Sequence, residues 1–333
     1  MTIFVSSFRS YATNWKWVAP ILLLSLCFVT NTAQAQSLGY EGPTGVFVTP
    51  LALTAGSPAK GLGAPSVSYH FLAGGPVTGY FSTVSTTVGF AKRFEAGYTS
   101  EIHAAGDQGL SPLWNSGINI VHFKANITPA PLAKVAVFSV GTIVRTNDQI
   151  GVNINNLAAT LITNAGIKPV LAAQKTTNAD VYLVATKIIT QTKPVPILLN
   201  AGIRGTNASL WGLGGNSPGF EGKLFGAVGL VFTGPAKSTI ILASEVSEQP
   251  QHISSATATA TLGSSKAATL FDIPTSEVYA ARIVPFAKRK LNVDVGVLHA
   301  GGNIDNPLLH TLAGGHVNLD MRARVAFAVS YGF

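Results

Sequence analysis

Arg322-Ala323-Arg324-Val325-Ala326-Phe327-Ala328-Val329-Ser330-Tyr331-Gly332-Phe333 closes the sequence and decides its fold. Val325, Phe327, Val329, Tyr331 and Phe333 share one parity; Arg324, Ala326, Ala328, Ser330 and Gly332 take the other. Successive side chains of a strand point to opposite faces. One face here is therefore apolar and ends in aromatics, while the other is small or polar. A strand with lipid on one side and a polar interior on the other has this alternation, with its aromatics at the membrane interface.

The composition agrees. Of 333 residues, 11% are charged and 47% hydrophobic, and mean hydropathy is +0.35. Soluble domains carry roughly 25% charged residues, so lipid is the natural cover for this chain. A disordered chain is excluded, because disorder needs low hydrophobicity and high net charge. The longest apolar run, Val18 to Phe28, is shorter than the roughly 20 residues a spanning helix needs. The apolar residues must then be dispersed through strands, and the 34 Gly and 18 Pro suit many turns.

Segments of about ten residues with period-2 hydrophobicity recur from residue 64 onward, each bounded by Gly, Pro, Asn or Asp. They fall near 64–72, 82–91, 94–103, 116–126, 133–145, 179–189, 196–206, 222–233, 237–247, 276–287, 290–300 and 319–333. The connections between them alternate in length. Short ones lie at 92–93, 128–132, 191–195, 234–236 and 287–290; long ones lie near 104–115, 146–178, 207–221, 248–275 and 301–318. That pattern predicts an all-β, transmembrane antiparallel barrel of about 12 strands, with short periplasmic turns and long extracellular loops. A strand pair inside 146–178 would raise the number to 14. A periplasmic β-sandwich is the competing architecture.

Residues 1–35 have the form of a secretory signal: Arg9 and Lys16 precede an apolar core, and Ala33-Gln34-Ala35 supplies a small-x-small cleavage site. Cleavage after Ala35 removes Cys27, the single cysteine, and lowers the formal charge from +8 to +6. A cysteine-free exported chain has neither disulfides nor a thiolate metal site. The expected division is a signal peptide at 1–35, a periplasmic segment or plug at 36–63 and the barrel at 64–333. The expected location is the outer membrane.

Two stretches carry resemblances. The terminal strand resembles the signal by which the barrel-assembly machinery recognises Gram-negative outer-membrane proteins, which makes that machinery and outer-membrane lipid expected partners. Gly45-Val46-Phe47-Val48-Thr49-Pro50, followed by Val88-Gly89-Phe90-Ala91-Lys92-Arg93-Phe94-Glu95-Ala96-Gly97-Tyr98, resembles the start of YjbH-type outer-membrane proteins. The likeness spans about residues 42 to 103. It implies a barrel and a context of exopolysaccharide export.

Charged residues at inward parity are the informative chemistry. Arg204, Lys223, Arg322 and Arg324 are expected to line the lumen, where cations between low-dielectric walls would favour small anionic solutes. Glu245, Asp294 and Asp320 share that face, so these acids could instead pair with the cations and fill the interior. The functional expectation is a porin-like passive or gated conduit with a mild preference for anions. A non-conducting envelope component linked to exopolysaccharide is the alternative. A rim hydrolase using Glu101 and His103, or Asp305 and His310, is a third class. His70, His103, His299, His310 and His316 are placed near the outer ends, without HExxH or other ligand spacing, so no metal and no cofactor are expected. Gly212 to Gly219 lacks the Lys-Ser/Thr of a phosphate loop, and Lys288-Arg289-Lys290 fits a polar turn. Neither points to nucleotides or nucleic acid.

Overall fold

The computed structural model describes residues 37–75, 79–104, 116–128, 134–147, 176–192, 195–213, 216–250, 275–285, 291–301 and 323–333. The signal peptide with its cleavage site, Asp305, His310, His316, Asp320, Arg322 and Lys288-Arg289-Lys290 lie outside them.

Twelve strands alternate in direction: β1 (Ser66–Gly75), β2 (Gly79–Phe90), β3 (Phe94–Ala104), β4 (Ile118–Asn126), β5 (Val137–Thr146), β6 (Thr177–Ile189), β7 (Ile197–Ala208), β8 (Asn216–Thr233), β9 (Thr239–Glu248), β10 (Thr275–Val284), β11 (Leu291–Ala300) and β12 (Arg324–Gly332). Each pairs with its sequence neighbours, and β12 returns to β1 to close the barrel. The closing register runs from Ser66 opposite Gly332 to Leu72 opposite Ala326. Closure leaves no unpaired edge, which a membrane demands because lipid satisfies no backbone donor or acceptor.

Each expected segment coincides with one strand. The strand number is fixed by β5 and β6, which pair directly from Val137 opposite Thr186 to Thr146 opposite Thr177. The 14-strand variant therefore has no place in the wall. The connection expected at 207–221 is also shorter than anticipated. β7 continues to Ala208 and β8 begins at Asn216, so part of that Gly-rich stretch is strand. Asn216-Ser217-Pro218-Gly219 has the composition of a turn and no period-2 alternation of apolar residues, so it concealed a paired strand.

The outer face follows the alternation. Val325, Tyr331, Val295 and Leu224 are exposed, while Ala326, Ala328 and Ser330 are buried on the other side of the same wall. On β2, Thr83, Ser85 and Thr87 face inward and are wholly buried. At the end of the barrel with the short connections, the β2–β3 turn holds Ala91 and Lys92 at φ 52° and 55°. Close packing fixes two inward glycines. A Cβ at Gly141 would lie 2.4 Å from the Tyr182 ring, and one at Gly202 would lie 2.2 Å from the Phe225 ring.

Candidate functional site

The interior is occupied by the chain's own N-terminal segment. From β1 the segment leads back along the edge that carries the short connections, where Phe333 donates its N–H to the Pro65 carbonyl (3.1 Å) and Gly63 donates to the Gly89 carbonyl (2.8 Å). From Ala55 to Ser37 it lies within the wall and is almost entirely buried. Two tight reversals fold it up, marked by the bridges Leu38 to Thr44 and Gly45 to Pro50. Gly42 at φ 101° allows one of them; a Cβ there would meet Thr99 Oγ1 at 2.4 Å.

Tyr40, Phe47, Val48 and Ala52 join an apolar cluster with Leu72, Phe81, Ile120, Tyr182, Phe225 and Ala328 of the wall. Burial of apolar area gives the segment a solvent-driven reason to stay inside. Its backbone polar groups must also find partners there, and the inward side chains of the strands supply them. Thr83, Thr87 and Thr99 donate to the carbonyls of Tyr40, Gly42 and Glu41. Ser139 and Asn126 donate to the Ala52 carbonyl, and Asn200 to that of Pro50.

Charged groups form four further grips. Near the end with the short connections, Glu95 accepts from Thr44 N (3.0 Å), Thr44 Oγ1 (2.6 Å) and Ala55 N (2.7 Å). It also pairs with Lys124 at 2.7 Å. Lys124 donates in turn to the carbonyls of Thr44 and Leu51, each at 3.0 Å. The second grip is Glu245, which accepts the N–H groups of Phe47 (2.6 Å), Val48 (3.1 Å) and Thr49 (2.7 Å) and the Thr49 hydroxyl (2.6 Å). Three successive backbone donors on one carboxylate form an anion-binding concavity of the kind known as a nest.

In the third grip, Arg282 pairs with Asp294 (2.7 and 3.0 Å) and donates to the carbonyls of Gly45 and Val46. The fourth centres on Arg145, which hydrogen-bonds to Glu41 of the segment and to Asp180 of the wall at 2.7 Å. Arg204 lies 3.7 Å from the same Asp180. Burial pushes the Glu41 carboxyl up and Arg145 opposes that shift. Burial first, and then the Glu101 carboxylate, hold the Tyr40 hydroxyl well above the usual phenol range. It therefore stays protonated and donates to Glu101 at 2.9 Å. Beside the segment, a void of about 10 Å³ is lined by Gly39, Glu41, Pro43, Val48, Pro50 and Ile143, room for one water.

Of the residues singled out in the sequence, Arg204 and Glu245 are brought to the interior, where they face different partners from those expected. Arg204 reaches Ser247 and the Glu248 carbonyl besides Asp180. Glu245 holds segment amides, and Asp294 holds Arg282. Lys223 pairs with Glu221 at 2.8 Å and is partly exposed. Arg324 occupies the outer end of β12, opposite Leu298. Val325, Phe327, Val329 and Tyr331 point outward, and Tyr331 stacks edge-on against Phe333 at 5.1 Å.

One placement expected near the outer end needs correction. His70 sits midway along β1, opposite Thr83 and Ala328, with Nε2 3.1 Å from the Leu38 carbonyl. Glu101 and His103 are buried rather than at an open rim; Tyr40 occupies Glu101, and the His103 ring lies 4.9 Å from that of Phe81. Glu95, Lys124, Arg145, Asp180 and Arg282 were not singled out, although strand parity could have found them. Each neighbours an outward apolar residue: Phe94, Phe123, Val144, Val181 and Ile283.

A membrane-spanning β-barrel of the outer-membrane type, with a folded peptide segment seated in its lumen, is the class these features define. Among solved structures, the chain is similar to a KdgM porin at 11% identity, over 80% of this chain and 99% of that one, with a TM-score of 0.41. A NanC porin gives 8% identity, 81% and 99% coverage and a TM-score of 0.43. OprB of Pseudomonas putida gives 11%, 76% and 59% coverage and a TM-score of 0.31. No protein-family model and no curated protein sequence matches the chain.

Proposed function

We propose that this protein is a porin-like conduit of the outer membrane, gated from within by residues 37–55. One observation carries the proposal: the wall closes through strand pairings that use no residue of the segment. The segment can therefore leave the lumen without opening the barrel. Its hold consists of hydrogen bonds and ion pairs that water can replace on both sides, plus one apolar patch.

Once vacated, the described inner wall would carry Lys124, Arg145, Arg204 and Arg282 against Glu95, Glu101, Asp180, Glu245 and Asp294. Four cations against five acids leave near balance, so selectivity would be weak, and these residues do not carry the preference for small anionic solutes expected from the cations alone. The outer apolar face supports outer-membrane lipid as the surroundings, and the outward aromatic end of β12 supports delivery by the assembly machinery.

The test is conductance of the purified protein in a planar bilayer, with reversal potentials in a salt gradient. The expected result is a mostly closed parent that opens in discrete steps, with similar permeability to chloride and potassium. A silent bilayer for the parent and for variants that loosen the segment would identify a non-conducting envelope component instead.

A further inference from the structure

The connection between β7 and β8 folds into the barrel mouth instead of projecting from it. Its turn Ser209–Gly212 has two non-glycine residues in the left-handed region, Leu210 at φ 44°, ψ 52° and Trp211 at φ 57°, ψ 28°. L-residues adopt such a conformation uncommonly, at tight turns and where their surroundings hold it. The surroundings are specific. Leu210 N donates to Gln249 Oε1 at 3.0 Å, and Gln249 Nε2 donates to Ser276 Oγ at 2.8 Å. Trp211 is 2% exposed, with its ring 6.4 Å from that of Tyr40. Gly212, at φ 93°, passes so close to Arg145 that a Cβ would lie 2.8 Å from its Cδ, and Arg145 is the residue that holds Glu41.

The turn therefore rests on two consecutive residues of the internal segment, on Tyr40 directly and on Glu41 through Arg145. We propose that the Ser209–Leu213 connection is an extracellular latch on the internal segment: turned in, it holds Tyr40 and Glu41 down, and when it turns out the segment is free to leave. The proposal rests on residues 37–55 being a removable closure, and it adds the side from which that closure is controlled. An extracellular event that draws Trp211 outward would loosen a segment that enters from the periplasmic end.

The experiment reads segment release without relying on conductance. Val48→Cys places a thiol on the buried segment of the full-length chain, with Cys27→Ser removing the native cysteine. Its reaction with N-ethylmaleimide is followed in outer-membrane vesicles. Trp211→Ala is expected to speed labelling at least tenfold, and Trp211→Phe, which keeps a ring against Tyr40, should stay near the parental rate. Gly212→Ala leaves Trp211 in place but lifts the turn off Arg145, and should also speed labelling. A closed barrel keeps its hydrogen bonds in detergent and should run at a different apparent size on a gel until heated; retention of this heat-dependent gel shift confirms that each variant has folded. Parental rates for Trp211→Ala and Gly212→Ala, in a background where Glu245→Ala labels faster, would overturn the latch. Faster labelling with no conductance would leave the latch standing and remove the conduit. No labelling in any variant, Glu245→Ala included, would remove both.

Discussion

Glu245→Ala should convert a mostly closed barrel into a mostly open one. In the seated state the carboxylate accepts three backbone N–H groups and one hydroxyl, at 2.6 to 3.1 Å, and is 2% exposed. Truncation leaves those amides buried without an acceptor, and each orphaned donor costs about 1–3 kcal/mol. Taking the low end, because a water can enter the space of the lost side chain, gives about 3–5 kcal/mol for the grip. That matches the usual cost of breaking a buried charged network by removing one partner. None of it is lost in the unseated state, where water solvates the same amides. At 1.4 kcal/mol per decade, the ratio of seated to unseated segment falls by about two to four orders of magnitude. Open probability in planar bilayers reads this directly, and Glu245→Gln, which keeps one acceptor oxygen, should fall between. An unchanged open probability in Glu245→Ala, with the heat-dependent gel shift intact, would refute the reasoning, because the best-formed grip on the segment would then hold nothing.

Other outcomes follow from the same geometry. Lys124→Met leaves Glu95 buried without its cation and should cost about 3–5 kcal/mol, whereas Lys124→Met with Glu95→Gln should recover part of the loss; a double-mutant cycle in urea unfolding from bilayers measures this. Gly141→Ala drives a methyl into the Tyr182 ring, and overpacking of that kind costs about 1–3 kcal/mol, seen as a lower temperature for the gel shift. Val295→Arg places a charge on the lipid face midway along β11, where about 2–4 kcal/mol is expected.

The wall was legible because each strand obeys one local rule. Leu291, Val293, Val295 and Val297 against Asn292 and Asp294 can mean only a two-faced strand, and the strand that ends in Phe333 adds the interfacial aromatics. The interior was legible in kind but not in pairing. Parity places Glu245 and Asp294 inside, yet their partners, Phe47 to Thr49 and Arg282, lie 196 to 198 and 12 residues away in sequence. Local periodicity carries no information about contacts across a lumen. The segment itself has no period, because its shape comes from two reversals and from the wall around it. Gly45-Val46-Phe47-Val48-Thr49-Pro50 reads as an apolar hexapeptide; only the carboxylate opposite turns its three amides into a binding surface. The turn at Trp211 was hidden for the opposite reason, since the glycines that follow it suggested an outward loop.

The most direct measurement of the central claim is a cross-link between the segment and the inside of the wall. Ser139 Oγ lies 2.6 Å from the Ala52 carbonyl, so Ala52→Cys with Ser139→Cys, in a chain carrying Cys27→Ser, puts thiols on two residues that meet across the contact between segment and wall. Oxidation of unheated outer membranes should give a disulfide that alters mobility on a non-reducing gel and keeps the channel shut until it is reduced. Two thiols that both react freely with a soluble reagent in a folded barrel, and never with each other, would put the segment outside the lumen and contradict the account.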